Sequence, residues 1–356
     1  MTFSARVTAI TQDRILPKEY DNFFDDSSFL PYRILGTGQD WGGVSLSVPV
    51  TLAKNNNGGS FSGLTSATVG TTQTRQSLTY NLKAYRISVT LPGLDQIAAS
   101  GEAAQVNLIS NELHNTFLSA LDDVSDMLYA DGSGNSNQDI NGLDLLADDT
   151  DTSATIGGLS KSTYPTLQGV STDVGGAGSL DDLSTFWFGL TSGSGVKNRP
   201  TLFVTNETVW GDLEKLILTG TVQANYNPQA YPVVTRRSKG AIKSSEFSLG
   251  YGATSLIYKG VPIVYDEKCT AQRIYGINEN YLPFYSAKSP KLKAISIPNS
   301  IEGSANEAPS SETGLQWSGW KDAYLEFGDA AFVYLIGEWI TTQPRRQGRL
   351  YGWTGI

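Results

Sequence analysis

Apolar residues recur every three or four positions between residues 101 and 130, which predicts one long amphipathic helix in the first half of the chain. Its apolar stripe consists of Val106, Ile109, Leu113, Phe117, Leu121, Val124 and Leu128. Ser100 is suited to cap the N-terminus of this helix, and Gly132 is suited to end it. Roughly thirty residues give a helix about 45 Å long, which is long for a globular protein.

A different, alternating pattern predicts a long β-hairpin before this helix. Val44, Leu46, Val48 and Val50 alternate with polar residues, and a second alternating segment covers 77–91. Residues 55–60, rich in Asn and Gly, form a strong turn signal. The alternation shifts at residues 83–84, which predicts a bulge or bend. An isolated two-stranded ribbon is marginally stable in water, so we expect this one to lie against a neighbouring subunit.

The remaining segments predict a mixture of helices and strands. Residues 1–35 show no sustained helical period and are expected to form an extended arm, and residues 131–182 are loop-like with short β pieces. A helix near 183–190 precedes a βα unit, with a strand at 201–205 and a helix near 209–218. Regions 247–298 and 320–351 are rich in strand patterns. The chain therefore belongs to the α+β class.

Composition favours a protein that buries its surface against other subunits. The 356 residues suit one large or two closely connected domains. Only 17% of residues are charged, below the roughly 25% that is usual for soluble domains, and Tyr, Phe and Trp are numerous. The net charge of −9 argues against a general nucleic-acid binder, because such proteins neutralise phosphates with an excess of Lys and Arg.

The sequence lacks the residue sets that catalysis or metal binding requires. One histidine, His114, and one cysteine, Cys269, exclude a disulfide and a His/Cys zinc site within the chain. The segment 131–142 resembles a calcium loop but carries Ser136 and Gly142 where the loop needs glycine and glutamate. The acidic clusters at 122–126 and 148–151 favour solvated faces or inter-subunit salt bridges. We predict no catalytic, cofactor or metal residue, and no enzyme.

Apolar runs are too short for a membrane protein. The longest lies around 330–336, far below the roughly 20 residues that a spanning helix needs. The first residues also lack the basic and apolar segments of a signal peptide. We therefore expect no membrane partner.

Four stretches, in this order along the chain, resemble segments of one protein family. Residues 126–132 are similar to the end of the family's long spine helix, and 141–143 with 158–165 to a glycine-hydrophobic stretch that leads to Ser-Thr-aromatic-Pro. Residues 200–208 resemble a strand and helix start of the family's axial domain. Residues 258–266 with 274–278, and 332–337 with 345–350, are similar to its late strands. The family resembled is that of the major capsid proteins of tailed bacteriophages, the Hong Kong 97-like capsid family, and the resemblance covers nearly the whole chain.

The resemblance implies a Hong Kong 97-like capsid fold with four parts. These are an N-terminal arm (1–35), an extended loop with its base (36–92), a peripheral domain (93–134 and 261–356, with the spine helix at 101–130) and an axial domain (135–260). It also implies hexamers and pentamers of this chain that assemble in the host cytoplasm into an icosahedral virion head around double-stranded DNA. Portal and decoration proteins are further implied partners, and contact with packaged DNA would be weak and non-specific.

Two features of the family are not expected here. Some members carry a long N-terminal scaffolding segment, whereas this chain begins almost directly in the arm, so we expect a separate scaffolding protein. Some members form lysine–asparagine isopeptide cross-links. Lys54 lies in the extended loop, but no specific asparagine can be matched to it, so no cross-link is expected.

Contacts between subunits are the candidate functional residues. The basic run near the C-terminus could touch DNA or pair with a neighbour's acidic residues near 21–26, and the negative net charge favours the second. The predicted contact residues are Lys54, Asn55, Arg75, Asp25, Asp26, Glu302, Glu307, Arg345, Arg346 and Arg349.

Three alternatives remain open. An encapsulin-type compartment would use the same fold to hold cargo enzymes in place of DNA. A β-rich secreted binding or hydrolytic protein would require a signal sequence and a catalytic constellation. A tail or decoration protein of the virion is disfavoured by the long helix and the central βα unit.

Overall fold

The computed structural model describes residues 30–31, 39–64, 70–94, 102–147, 154–192, 198–218, 256–288, 292–297, 311–322 and 327–356. The helices are α1 (Glu102–Tyr129), α2 (Leu143–Leu146), α3 (Leu180–Leu190) and α4 (Glu207–Leu218). Short 3-10 turns lie at Pro165–Leu167, Glu279–Tyr281 and Pro344–Arg346. The first strands are β1 (Gln39–Asp40), β2 (Ser45–Thr51), β3 (Arg75–Asn81), β4 (Lys83–Pro92), β5 (Thr155–Ile156), β6 (Leu159–Ser160), β7 (Val170–Gly176) and β8 (Leu202–Thr205). They are followed by β9 (Leu256–Tyr258), β10 (Val261–Tyr265), β11 (Arg273–Ile277), β12 (Phe284–Ser286), β13 (Lys293–Ile297), β14 (Ser311–Trp317), β15 (Lys321–Asp322), β16 (Gly328–Trp339) and β17 (Gly348–Trp353).

The first large sheet is built around β16. Its strand order is β1-β12-β16-β14-β13, and β4 and β15 also pair with β16. The longest ladder joins β4 and β16 in antiparallel register from Lys83↔Gly337 to Pro92↔Gly328. The apolar stripe of α1, with Leu121, Val124 and Leu128, packs in one core with Leu335 and Trp339 of β16. The predicted spine-like helix is confirmed to within one residue at each end.

The second large sheet is mixed and has the order β7-β17-β11-β8-β10-β9. β8 runs parallel to β10, as expected for a strand pair with a helix, here α4, in its connection. Asn206 caps α4, because its Oδ1 accepts from the N–H of Val209 at 3.4 Å. α3 begins with a capping box between Ser179 and Asp182 and packs Phe186 against Phe203 of β8. The predicted βα unit is confirmed.

The expected domain boundary at residue 260 falls in the turn between β9 and β10, which pair with each other. β10, β11 and β17 all belong to the sheet that contains β7 and β8. The last strand of the chain thus returns to the middle of the second sheet, whereas the expected boundary followed chain order. The division of the chain into domains stays a prediction.

The predicted hairpin is confirmed at its outer part and wrong at its base. β2 and β3 pair in antiparallel register from Ser45↔Asn81 to Thr51↔Arg75, and we call this pair with its connecting loop the ribbon. At Leu82 the chain leaves the ribbon, and β4 joins the first sheet instead. The predicted break at 83–84 therefore marks a change of sheet.

The segment from Gly132 to Gly142, which we call the exit from α1, is closely packed against the end of that helix. Gly132 has a φ of +75°, in the left-handed region that glycine favours. A Cβ at Gly142 would fall against the carbonyl oxygens of Met127, Leu128 and Ala130. Between them, Asn135, Ser136 and Asn137 all have positive φ, so this segment is a left-handed turn. Such a turn costs energy in non-glycine residues.

Candidate assembly surface

The ribbon exposes apolar side chains towards its outer end. Phe61 is 80% exposed, and Leu64 is fully exposed. Single exposed apolar residues are ordinary, but Phe61 and Leu64 lie three residues apart in a loop that is otherwise small and polar. Sequence reasoning missed this pair, although apolar residues within a glycine-rich loop were the available signal. The outer ribbon can therefore bury apolar surface against another molecule.

The base of the ribbon is supported by its own chain. Leu78 and Tyr80 are buried in a small core with Ile156, Leu167 and Ile340. The Tyr80 hydroxyl donates to the carbonyl of Thr341 at 2.9 Å, and burial raises the pKa of that hydroxyl. The segment that carries β5 and β6 therefore supports β3 within the chain, and contact of the ribbon with a neighbouring subunit stays a prediction.

A buried ion pair fixes the point where the chain leaves the ribbon. Lys83 donates to the carbonyl of Asp139 and to Oδ1 of Asn141 at 2.9 Å, and lies 3.5 Å from Oε2 of Glu338. The other carboxylate oxygen of Glu338 accepts from the backbone N–H groups of Asn141 and Trp339. Burial raises the pKa of Glu338 to about 7. This network joins the ribbon base, the exit from α1 and β16.

The predicted contact residues on the ribbon lie at the surface. Lys54, Asn55 and Arg75 are all exposed. The Asn55 Oδ1 accepts from the N–H of Asn57 at 3.1 Å, so Asn55 also orders its own loop. Lys54 and Arg75 lie on the outer half of the ribbon, where a neighbouring molecule could reach them.

The C-terminal basic run is divided between the surface and the interior. Arg345 is exposed, but Arg346 and Arg349 are only 4% and 6% exposed. Arg346 donates to the carbonyls of Leu190 and Ser192. Arg345 is thus the member of this run that lies at the surface of the single chain, and the contact of all three with another subunit stays a prediction. Arg349 is buried because its strand, β17, lies between β7 and β11, whereas Arg346 ends the 3-10 turn that precedes this strand.

One predicted acidic cluster is also used within the chain. Asp122 and Asp126 of α1 lie 2.8 Å and 3.3 Å from the ammonium of Lys268, so they are not purely solvated or inter-subunit groups. The contact residues Asp25, Asp26, Glu302 and Glu307, the acidic cluster at 148–151 and the side chain of His114 lie outside the described residues.

The described residues offer no arrangement suited to metal binding. No group of three or more His, Cys, Asp or Glu side chains among them could hold a metal ion. Cys269 is buried, and burial raises the pKa of its thiol, which keeps it protonated and a poor nucleophile. No helix within the described ranges is long and apolar enough to cross a membrane.

Solved structures of shell proteins match this chain over nearly its whole length. The capsid asymmetric unit of cyanophage A-1(L) is 18% identical, with a TM-score of 0.70, and the match covers 99% of this chain and 100% of that one. The SrpI encapsulin from Synechococcus elongatus PCC 7942 is 11% identical, with a TM-score of 0.58 and coverage of 99% and 95%. The capsid of Myoviridae phage XM1 is 13% identical, with a TM-score of 0.55 and coverage of 99% of each chain. No protein-family model and no curated protein matches the sequence.

At these identities the similarity establishes the fold. The chain has the Hong Kong 97-like capsid fold, as the sequence resemblance implied. The long α1 on the β16 sheet, the second mixed sheet and the projecting ribbon are the parts of this fold within the described residues.

Proposed function

We propose that this chain is the major capsid protein of a tailed bacteriophage, a structural subunit that associates with copies of itself into a closed shell. The observation that carries the proposal is the match in both directions over 99% and 100% of the two chains with a phage capsid asymmetric unit. The exposed apolar residues of the outer ribbon supply a surface that association would cover.

The parts of the subunit follow from the two sheets. We assign the sheet around β16, together with α1, to the peripheral domain, and the sheet from β7 to β9 to the axial domain. The axial domain then extends past residue 260 through β11, and it also includes β17 from the end of the chain. The ribbon is the outer part of the extended loop, and the arm expected from the sequence at 1–35 lies almost entirely outside the described residues.

The partners are proposed on the same basis. Hexamers and pentamers of this chain form an icosahedral head in the host cytoplasm, with a separate scaffolding protein, a portal and decoration proteins. Lys54, Asn55, Arg75 and Arg345 are the described contact candidates that remain at the surface. The net charge of −9 suits a container that encloses DNA without binding it tightly.

An encapsulin-type compartment is the second candidate. The match to the SrpI encapsulin covers 99% of this chain, and the shared fold does not distinguish cargo enzymes from DNA. The contents of purified particles separate the two proposals. Nuclease-protected DNA supports the phage head, and a co-purifying enzyme supports the compartment.

Electron microscopy of the expressed chain tests both proposals together. We expect closed shells tens of nanometres across, formed alone or with a co-expressed scaffolding protein. A uniform soluble monomer in the presence of the scaffold would contradict a shell function of either kind.

A further inference from the structure

Three side chains with complementary reactivity meet at the base of the ribbon. The ammonium nitrogen of Lys83, the first residue of β4, lies 2.9 Å from Oδ1 of Asn141 and 3.5 Å from Oε2 of Glu338. A primary amine, a carboxamide and a carboxyl group are what amide formation between two side chains needs, as nucleophile, electrophile and proton carrier. The fold thus brings together a lysine and an asparagine that lie 58 positions apart in the sequence.

The Asn141 amide is held in place by its surroundings. The backbone N–H of Asn141 donates to Oε1 of Glu338 at 2.8 Å, so one carboxyl group contacts the amine through one oxygen and the asparagine through the other. A Cβ at Gly132 would lie 2.9 Å from Oδ1 of Asn141, so a side chain at this position would crowd the amide. Two groups held side by side react faster than free ones, because the entropy of bringing them together has already been lost in folding.

Glu338 is suited to carry protons between the other two groups. Its side chain is 1% exposed, and burial raises its pKa to about 7. A carboxyl group with such a pKa both accepts and releases a proton near neutral pH, as general acid–base chemistry requires. The Lys83 side chain is also largely buried, with 16% exposure, so little water competes for these groups.

We propose that Lys83 and Asn141 form an isopeptide bond within one chain, with Glu338 as the proton carrier. The bond joins the start of β4 to the exit from α1, at the point where the chain leaves the ribbon. It connects two parts of the same subunit and does not involve Lys54, so the subunit still migrates as a monomer on a denaturing gel. The proposal does not depend on the shell function, because all three residues belong to one chain.

The reaction starts from the ion pair between Lys83 and Glu338. The ammonium gives one proton to the carboxylate, and the neutral Nζ attacks Cγ of Asn141, so that a C–N bond forms and Oδ1 takes up the electron pair of the C=O double bond. Glu338 then donates its proton to Nδ2, the double bond forms again, and ammonia leaves with the electron pair of the broken Cγ–Nδ2 bond. The second proton lost by Nζ leaves with the ammonia as ammonium, and Glu338 is a carboxylate again. The reaction uses no oxidant, reductant or further reactant.

The ammonia has a route to solvent. Lys83 and Asn141 both line a cavity of about 670 Å³, and two other residues of its lining, Asp131 and Ser133, are exposed at the surface. Because the leaving group can diffuse away through this cavity, the reverse reaction is not favoured.

Mass spectrometry of the purified, folded full chain tests the bond. We expect an intact mass that is lower by one ammonia than the sequence requires. A tryptic digest should contain the peptides with Lys83 and Asn141 joined through these two side chains, without cleavage after Lys83, because trypsin does not recognise an acylated lysine. A wild-type digest without the joined peptides overturns the proposal.

Loss of ammonia alone does not identify the bond. Asn141 precedes Gly142, and an asparagine before glycine also loses ammonia when it cyclises onto the next backbone nitrogen. Lys83→Arg separates the two reactions, since the guanidinium keeps a positive charge beside Glu338 but stays protonated and is no nucleophile. This variant should keep the full mass, whereas Lys54→Arg, at an exposed lysine of the ribbon, should lose ammonia as the wild type does. Equal loss in Lys83→Arg and the wild type overturns the proposal.

The proton carrier and the need for folding are tested separately. Glu338→Gln cannot exchange a proton and should also keep the full mass. Should the variants fold poorly, the wild-type chain decides. When it is taken from inclusion bodies into urea it should have the full mass, and it should lose ammonia only after refolding, because only the fold brings the three groups together. Equal ammonia loss in the chain kept in urea would assign the loss to cyclisation at Asn141 and overturn the proposal.

Discussion

The ammonium nitrogen of Lys83 lies 3.5 Å from Oε2 of Glu338, and the two residues connect the start of β4 to the end of β16. Glu338 is 1% exposed, and its second oxygen accepts two backbone N–H groups. Because Lys83 is the first residue of the sheet after the ribbon ends, this pair determines where the ribbon is attached. The protonation of Glu338 and the contribution of the Lys83–Glu338 pair to stability can both be measured.

Subunit stability should fall as pH rises towards neutrality because of Glu338. Burial raises its pKa from 4.5 to about 7, so the folded chain holds a proton that the unfolded chain has lost. The stability this proton contributes is complete below pH 4.5 and is lost as pH rises through about 7. The change is on the order of 3 kcal/mol. Urea unfolding of the subunit across this window measures it.

Glu338→Gln should flatten that pH dependence, since the amide does not titrate. Glu112→Gln is the matched control, because Glu112 is exposed on α1 and its variant should keep the wild-type pH profile. A wild-type stability that is constant across this pH window would contradict the assignment to Glu338.

Loss of the lysine should destabilise the subunit strongly. At a pH above about 7, where Glu338 is ionised, Lys83→Met leaves its carboxylate buried without its cation, which typically costs about 3–5 kcal/mol. Lys54→Met changes the same residue type on the exposed part of the ribbon and should alter stability by less than about 0.5 kcal/mol. The free energies of urea unfolding provide the comparison, and equal values for the two variants would show that the buried network is not important for folding.

A single methyl group at Gly142 should disturb the end of α1. The added Cβ would meet the carbonyl oxygens of Met127, Leu128 and Ala130, and backbone atoms cannot move aside as a flexible side chain can. We expect Gly142→Ala to cost at least about 1–3 kcal/mol. At Gly59 a Cβ meets nothing within 4 Å, so Gly59→Ala should be neutral or slightly stabilising. Thermal unfolding that ranks Gly142→Ala level with Gly59→Ala would refute this packing argument.

Assembly should depend on the apolar outer ribbon more than folding does. Phe61 is 80% exposed in the subunit, so Phe61→Ser should leave the melting temperature of the subunit unchanged while lowering the yield of shells. Phe61→Leu keeps an apolar side chain and should assemble as the wild type does. Sedimentation of the expressed variants, followed by electron microscopy, measures the yield. Normal shells from Phe61→Ser would exclude this residue from the contact.

The main helices and strands could be predicted from the spacing of apolar residues, because that spacing depends only on residues close together in the sequence. The stripe that includes Leu121 and Leu128 predicted α1, and the shift of alternation at Lys83 marked the point where the chain changes sheets. Neither pattern could reveal which strand β4 would join, since β16 lies more than two hundred residues further along the chain.

Long-range pairing also explains which charge contacts could not be predicted from the sequence. Arg349 appeared to be a surface residue in a basic run, but its strand lies between β7 and β11 and directs it to Asp144. Lys268 was not singled out at all, although it holds Asp122 and Asp126. In each case the partner is distant in sequence, so only the folded topology brings the charges together.

The separation of β3 and β4 at Leu82 determines how the subunit bears mechanical load. A neighbour that pulls on the ribbon transmits tension through Leu82 into β4, which is aligned with β16 over ten antiparallel pairs. Ladder hydrogen bonds run perpendicular to the strands, so tension along β4 loads the whole ladder in shear. Those bonds must then fail together instead of one at a time, which makes the attachment of the ribbon resistant to a pulling force.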